Sequence, residues 1–155
     1  MYKQKYNGHR LRIGRFSETN RVYHLTTSTK HRQPYFSNIH LGRIVVQALR
    51  YQHEQGKVHS LAFVVMPDHL HWLVQLGPGT TLKKLMSTVK GWSTSRIRQA
   101  TKIDNQDIWQ RGYYDHALRS DEDVQSVARY IVANPLRARL VNNIGDYPLW
   151  DAVWL

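Results

Sequence analysis

The stretch VHSLAFVVMPDHLHWLVQL, residues 58–76, decides the fold of this chain. Two runs rich in β-branched and aromatic residues, Val58–Met66 and His69–Leu76, are separated only by Pro67 and Asp68. Such runs favour β-strands, and so short a connection favours a hairpin. The sequence therefore predicts two neighbouring antiparallel strands in the middle of the chain.

The residues N-terminal to this hairpin predict one strand and one helix. Val22–Thr29 contains several β-branched and aromatic side chains, which favour a strand. Apolar residues recur at helical spacing from Ile39 onward, with Asn38 as the N-cap and Gly56 as the residue that closes the segment. A strand and an amphipathic helix thus lead into the hairpin.

The residues C-terminal to the hairpin predict two further helices. The first starts from a cap at Thr80 or Thr81, and its apolar stripe is formed by Leu82, Leu85, Met86 and Val89. The second has Ser120 or Asp121 as its cap and ends where Pro135 interrupts it.

A strand between these helices completes the predicted fold, and we expect it over Tyr114–Leu118. The order strand, helix, strand, strand, helix, strand, helix is typical of an α+β sandwich of the ferredoxin-like type. We expect a central antiparallel sheet with helices packed mainly on one face, plus a C-terminal helix. The whole chain, residues 1–155, is predicted to be one domain, of which residues 1–18 form a basic N-terminal arm.

The composition points to a polyanionic partner. Lys and Arg number 22 against 11 Asp and Glu, and the formal net charge is +11. Phosphate chains bind such proteins because Lys and Arg release condensed counterions, so nucleic acid is the expected partner class. A basic protein without such a partner is the alternative.

Features that the sequence lacks restrict the possible metal ligands and the expected location of the protein. The chain contains no cysteine, so any metal must be held by nitrogen and oxygen ligands. No apolar run approaches the roughly 18 residues of a membrane span, and the N-terminus lacks the apolar region of a secretion signal. We therefore expect a cytoplasmic protein without a membrane partner.

The hairpin carries two histidines in the pattern His-x-His, His69 and His71. Residues two apart on a strand point to the same face, so both imidazoles can bind one divalent cation. Carboxylate, amide or water oxygens would complete a ligand shell suited to Mg²⁺, Mn²⁺ or a similar ion. The alternative is that the pair marks only the solvent face of a strand, and the spacing alone does not decide.

The predicted last helix offers a nucleophile and a further ligand. Tyr130 and Asn134 are four residues apart, which places them on one face of a helix. A phenol is a weak nucleophile at neutral pH, but a cation on the attacked phosphate reduces the negative charge that the incoming oxygen meets. The alternative for Tyr130 is a ring in the core with its hydroxyl at the rim.

Three segments together resemble the REP-associated tyrosine transposases, a branch of the single-tyrosine HUH endonucleases of the IS200-like type. They are VVMPDHLHWLV at residues 64–74, IWQRGYYDHALRSDEDV at residues 108–124 and RYIVANPLRARLV at residues 129–141. A lone His-x-His is a weak motif, whereas the three segments in this order are specific.

The resemblance implies a site and a reaction. His69 and His71 form the HUH motif, Asn134 supplies a third, amide ligand to Mg²⁺ or Mn²⁺, and Tyr130 is the nucleophile. Members of this family cut single-stranded DNA beside hairpin-forming palindromes, leaving a 5′-phosphotyrosine and a free 3′-hydroxyl. The strand can then be rejoined elsewhere without ATP.

Other tyrosines, histidines and acidic residues are weaker candidates for roles in the site. Tyr113 and Tyr114 are rival nucleophiles, but they lie on or beside a predicted strand with no amide one helical turn away. Three histidines without a ligand-type partner two or four residues away are interpreted as ordinary ones: His24, His59 and His116. Three acids are candidates to orient a ligand imidazole: Glu54, Asp68 and Glu122.

Positive and aromatic side chains that can hold single-stranded DNA occur in three segments. The second predicted helix contributes Lys83, Lys84, Lys90, Trp92 and Arg96. The segment before the fourth strand contributes Trp109, Arg111 and Tyr113, and the N-terminal arm contributes Arg10 and Arg12. A solvated charge or a core aromatic is the alternative for each of them, and Lys90 is expected nearest the scissile phosphate.

Two functions stay open at this point. The first is a metal-dependent endonuclease and strand transferase that acts on hairpin-bearing single-stranded DNA, as a monomer or a homodimer. The second is a catalytically silent hairpin-DNA-binding protein or repressor with the same fold. The presence of all four site residues favours the first, and either protein is expected in the bacterial cytoplasm, on the nucleoid when bound. A replication-initiator nickase is a weaker third interpretation.

Overall fold

The computed structural model describes residues 17–103 and 105–154. Most of the predicted N-terminal arm, including Arg10 and Arg12, lies outside the described residues. The strands are β1 (Val22–Ser28), β2 (Val58–Met66), β3 (His69–Leu76), β4 (Tyr114–Ala117) and β5 (Trp150–Ala152). The helices are α1 (Ile39–Glu54), α2 (Leu82–Thr101), α3 (Val124–Val132) and the short α4 (Asn134–Arg137).

The strands form one antiparallel sheet in the order β4-β1-β3-β2-β5. Two interleaved split βαβ units produce the order β4-β1-β3-β2, which is that of ferredoxin-like folds. The predicted α+β sandwich with a central antiparallel sheet is therefore confirmed. Strand β5 extends it by pairing with the outer side of β2.

The two faces of the sheet have different covers. Helices α1 and α2 pack on the face where Leu70 and Trp72 of β3 join the larger core cluster. On the other face, Leu73 packs against the buried side of α3. Because alternate residues of a strand face opposite sides, His69 and His71 belong to the α3 face. Helices α1 and α2 therefore pack on the face opposite the histidines, and α3 packs on the face that carries them.

The first two predicted helix caps are confirmed, and the third is wrong. Asn38 and Thr81 each accept a hydrogen bond from a backbone N–H in the first turn of α1 and α2. Asp123 caps α3, instead of Ser120 or Asp121.

A tight turn before α3 explains the later start. Glu122 donates its backbone N–H to the carbonyl of Arg119 at 3.0 Å. The Glu122 carboxylate accepts the N–H of Arg119 at 2.9 Å and also lies 2.9 Å from Nε2 of His116. These local bonds hold residues 119–122 in a turn, so the helix begins only after Asp123.

The predicted last helix is interrupted after Val132. Ala133 separates α3 from α4, and Pro135 is buried in the first turn of α4. Proline has no N–H to continue the helical hydrogen bonds, which accounts for the break. The prediction of one continuous helix that carries both Tyr130 and Asn134 is therefore wrong, because they lie on successive helices.

The remaining differences from the predicted elements concern the strands. Strands β1 and β4 each end one residue earlier than predicted, and the sequence analysis does not predict β5. Within the described residues, no helix is long and apolar enough to cross a membrane.

Candidate active site

His69 and His71 lie side by side at the beginning of β3. In the sheet, His71 stands between Thr26 of β1 and Val64 of β2. The centroids of the two imidazole rings are 4.9 Å apart and their planes are nearly perpendicular. The β-sheet therefore brings the predicted pair together, as the period of a strand requires.

The Nδ1 atoms of both histidines are engaged by neighbouring side chains. Nδ1 of His69 lies 2.7 Å from a carboxylate oxygen of Asp68. Nδ1 of His71 lies 2.9 Å from Nε2 of His24 and 3.2 Å from the hydroxyl of Thr26. Neither Nε2 atom has a hydrogen-bond partner among the described residues. The Nε2 atoms are thus the ones available to a ligand.

Asp68, predicted as a candidate to orient a ligand imidazole, is itself held in place. Arg32 donates from Nε to the second Asp68 oxygen at 3.0 Å and from Nη1 to the hydroxyl of Ser28 at 2.8 Å. His31 and Arg32 both have φ near 55°, a left-handed conformation that is unfavourable for these residues. The strained turn places a guanidinium beside the histidine pair.

A third histidine, His24, approaches the pair from β1. Its ring centroid is 5.1 Å from that of His71. Burial, and then the neighbouring His116, lower the pKa of His24 to about 4, so the ring is neutral at pH 7. The sequence spacing indicates an ordinary histidine at position 24, and the structure adds that His24 contacts a residue 47 positions further along the chain. No local spacing rule can reveal such a partner.

The ionisation states at this site suit a cation. Burial lowers the pKa of His71 well below its usual value, and two histidines and two arginines nearby lower it further. Burial also lowers the pKa of His69, although Asp68 opposes this effect. Burial raises the pKa of Asp68, but His69 and Arg32 outweigh it and the pKa is lowered overall. At neutral pH the imidazoles are therefore unprotonated, which is the form that can bind a cation, and the carboxylate is charged.

The donor set fits a cation that takes few protein ligands. Within the part of the chain that the structure describes, no group of three His, Asp or Glu side chains could hold a metal. An amide, water or phosphate oxygen is a possible third donor beside His69 and His71. Asn134 donates its amide N–H to the carbonyl of Ile131 at 2.8 Å, and its side-chain oxygen takes no part in that bond. Imidazole and amide donors of this kind suit Mn²⁺ or Mg²⁺ completed by water or phosphate oxygens.

Tyr130 projects from α3 into solvent, with 53% of its surface exposed. The guanidinium carbon of Arg137, on α4, lies 3.8 Å from the centroid of the Tyr130 ring. Arg137 is also close enough to His71 to lower the pKa of that imidazole. The alternative of a core tyrosine does not hold, and Arg137 links the neighbourhoods of Tyr130 and the histidine pair within one chain.

Four of the predicted DNA-binding residues are exposed on α2: Lys83, Lys84, Trp92 and Arg96. The guanidinium carbon of Arg96 lies 5.2 Å from the centroid of the Trp92 ring. Because α2 covers the face opposite the histidines, these side chains are on the other side of the sheet. A DNA strand held at His69 would have to pass around the sheet to reach them.

Trp109 and Tyr113 require a correction. Their exposed fractions are 7% and 5%, and both belong to the larger core cluster. The indole N–H of Trp109 donates to the buried hydroxyl of Ser93 at 2.9 Å. Neither ring offers a free face, so the prediction that they stack on bases is wrong.

Lys90 and Arg111 line a groove of about 700 Å³ between α2 and residues 107–112. The Lys90 ammonium donates to the carbonyls of Gln110 and Gly112. The N–H of Gln110 in turn donates to the carbonyl of Ser28 at the end of β1, at 2.8 Å. Lys90 therefore fastens this loop to α2, and the groove lies at the end of the sheet where β3 begins.

The fold and these residues can be compared with known proteins. The sequence model of the family described as "Transposase IS200 like" matches residues 17–134. The chain belongs to this family. The resemblance that the three sequence segments indicate is therefore confirmed.

Individual relatives of the chain agree with the family match. The REP-associated tyrosine transposase of Escherichia coli is 26% identical over 87 residues, which cover 56% of the chain and 50% of that protein. An uncharacterised protein of Haemophilus influenzae is 27% identical over 96 residues, which cover 48% of the chain and 52% of that protein. The chain thus spans about half the length of these curated relatives.

One solved structure shows the same fold. It is a REP-associated tyrosine transposase bound to a REP hairpin, with a TM-score of 0.71 and 18% identity to this chain. The match covers 97% of this chain and 82% of that one. The likeness supports the architecture described above.

Proposed function

We propose that this chain cuts and rejoins single-stranded DNA at hairpin-forming repeats, through a covalent bond between Tyr130 and the 5′-phosphate. The observation that carries the proposal is the position of Arg137 near both Tyr130 and His71. Its guanidinium stacks on Tyr130 and acts electrostatically on His71. A phenol, a cation-binding pair and a phosphate-binding guanidinium are the parts that phosphoryl transfer requires.

His69, His71 and Asn134 are the proposed ligands of a divalent cation. When bound, Mg²⁺ or Mn²⁺ would neutralise charge on the scissile phosphate. Asp68 and His24 lie within hydrogen-bond distance of the Nδ1 atoms, which leaves the Nε2 atoms for the proposed cation. A neutral imidazole pair needs no deprotonation before it binds a cation at pH 7.

Tyr130 is the proposed nucleophile. Its phenolic oxygen forms a bond to phosphorus, the bond between phosphorus and the 3′-oxygen breaks, the phenol proton passes to solvent and the 3′-oxygen takes up a proton. The exposure of Tyr130 leaves room for a DNA strand to approach the ring. The planar Arg137 guanidinium can donate two hydrogen bonds to the phosphate while it holds the ring in place. Rejoining reverses these steps with a different 3′-hydroxyl.

The partner we propose is hairpin-bearing single-stranded DNA. A solved structure with the same fold is a REP-associated tyrosine transposase bound to a REP hairpin. In this chain, Arg32 and the groove that contains Arg111 lie at the end of the sheet near the histidines. The exposed Trp92 offers a ring for base stacking on the far side of α2. These features suggest a strand that runs from the histidine face around the sheet end towards α2.

A covalent-adduct assay tests the proposal. The protein is incubated with labelled hairpin-bearing single strands and Mn²⁺ or Mg²⁺, and the products are separated on a denaturing gel. We expect a slowly migrating adduct that disappears in EDTA and in Tyr130→Phe. Tyr51→Phe is the matched control, because Tyr51 is 56% exposed against 53% for Tyr130 and lies on the distant α1.

Each outcome of this assay is informative. An adduct that persists in Tyr130→Phe, or that forms equally well in EDTA, contradicts the mechanism. Hairpin binding without an adduct in any metal would instead favour the silent hairpin-binding protein. Loss of the adduct in Tyr51→Phe as well would indicate a general defect.

A further inference from the structure

The proposed site requires each ligand histidine to present one particular ring nitrogen. A neutral imidazole carries one proton, and the unprotonated nitrogen is the one that binds a cation. His69 has an evident acceptor for the proton on its Nδ1, the Asp68 carboxylate at 2.7 Å. Among the residues that the structure describes, the Nδ1 partners of His71 are His24 and Thr26, and no carboxylate is one of them. The neighbour that determines which ring nitrogen of His71 carries the proton is therefore either His24 or Thr26.

We propose that His24 is a positioning residue that accepts the Nδ1–H of His71 and keeps the Nε2 of His71 free for the divalent cation. The inference rests on the proposed function, because it assigns a role towards the same cation. His24 itself is not a ligand in this account, since its Nε2 is occupied by His71.

The geometry favours His24 over Thr26 as the acceptor. Nε2 of His24 is 2.9 Å from Nδ1 of His71, whereas the Thr26 hydroxyl is 3.2 Å away. A hydroxyl can both donate and accept, so it does not by itself select one tautomer of its partner. A ring nitrogen that lacks a proton can only accept. A His24 whose ring proton is on Nδ1 would therefore hold the proton of His71 on Nδ1, with Thr26 as a weaker second partner.

The sheet holds His24 where this role requires it. His24 stands opposite His116 in the pairing of β1 with β4, and the side chain of His116 is bound by Glu122 at 2.9 Å. His116 is thus held by its own partner on the far side of His24. The His24 ring, fixed between two paired strands, has little freedom to leave His71.

The first test reads the tautomer directly, without any metal. Nitrogen-15 NMR of the metal-free protein distinguishes a protonated from an unprotonated ring nitrogen. We expect the wild-type His71 to carry its proton on Nδ1, His24→Leu to give a mixture of tautomers, and His24→Gln to restore the Nδ1–H form through its amide oxygen. A wild-type His71 protonated on Nε2 would overturn the inference.

The second test measures cation affinity, with Mn²⁺ alone as the probe in calorimetry or electron paramagnetic resonance. Loss of a partner that orients a ligand typically weakens metal binding by about 10- to 100-fold, and we expect this for His24→Leu, with recovery in His24→Gln. Thr26→Val should weaken binding less. His59→Leu is the control, since His59 lies on β2 and its ring is near that of His53. Equal affinities in wild type and His24→Leu, or a larger loss in Thr26→Val, would contradict the role of His24.

The two tests separate failure of this inference from failure of the proposed function. If wild type binds no Mn²⁺ at all, the proposed metal-dependent reaction fails, and the tautomer measurement still decides the role of His24. If wild type binds Mn²⁺ and His24→Leu binds it equally well, only the role of His24 fails. Hairpin binding in EDTA reports whether each variant is folded.

Discussion

At the scale of single residues, Arg137 distinguishes this site from a simple His-x-His pair. Its guanidinium lies over the Tyr130 ring at 3.8 Å and influences His71. Spacing and residue type make Tyr130, His69 and His71 candidates, and the family resemblance is what selects them. The sequence does not predict Arg137 or His24, because their proximity to His71 depends on contacts between residues that are distant in sequence.

Arg137→Gln should slow adduct formation roughly 10- to 100-fold, because it removes a cation from the place where phosphate charge develops. Arg139→Gln removes the same charge two residues away and is the matched control. The measurement is the single-turnover rate of adduct formation with Mn²⁺, with hairpin affinity measured in parallel. Equal rates in the two variants would show that only the overall charge matters.

The buried His24 makes the stability of the fold depend on pH. Its pKa is about 4 in the folded chain against about 6.5 for a free histidine, so between these pH values the unfolded state binds more protons. Stability should therefore fall as the pH drops from 6.5 towards 4, by roughly 3 kcal/mol for this residue. The lowered pKa values of His69 and His71 act in the same direction. Urea unfolding of metal-free protein should show a shallower pH dependence for His24→Gln, and parallel curves would refute this prediction.

At the scale of elements, the sequence predicts those that carry a strong local pattern. Strands β2 and β3 have the predicted bounds, because both are long runs of strand-forming residues around a short turn. Strand β5 has only three residues and depends on pairing with β2. In this pairing Trp150 lies opposite Val64, which is 86 residues earlier in the chain. Trp109 and Tyr113 illustrate the same limit, since their type fits either a core or a DNA surface and only packing decides.

Two glycines should respond in opposite ways to alanine. A Cβ on Gly77 would lie 2.5 Å from the carbonyl oxygen of Gly56 and 2.7 Å from that of Lys57. Because these are backbone atoms, Gly77→Ala should destabilise the fold by about 1–3 kcal/mol. Gly91, on α2, has open space around its Cβ position, and Gly91→Ala should stabilise by about 1 kcal/mol. Urea unfolding measures both, and the same sign for both would contradict the described packing.

At the scale of the whole molecule, positive charge is the dominant feature. The formal net charge of +11 predicts a phosphate-rich partner from the composition alone. The composition cannot show where that charge acts, and the structure places Lys83 and Lys84 on the layer opposite the histidines. The family match over residues 17–134 confirms the class of protein that three short segments indicate.

The salt dependence of hairpin binding tests the route proposed around the sheet. If Lys83 and Lys84 bind phosphates, replacing both with Gln should reduce the slope of log affinity against log salt by about 1.4 to 1.8. Replacing Arg43 and Arg50, two exposed cations of α1, with Gln is the control that removes the same charge. An equal change in both double variants would show general attraction and no contact with α2.

The most direct test of the central claim is to identify the amino acid that becomes attached to DNA. The adduct formed with hairpin-bearing single-stranded DNA and Mn²⁺ is digested with protease and nuclease, and the modified peptide is sequenced by mass spectrometry. The account predicts a single nucleotide phosphate on Tyr130. Attachment to Tyr114, Tyr51 or any other residue would contradict it.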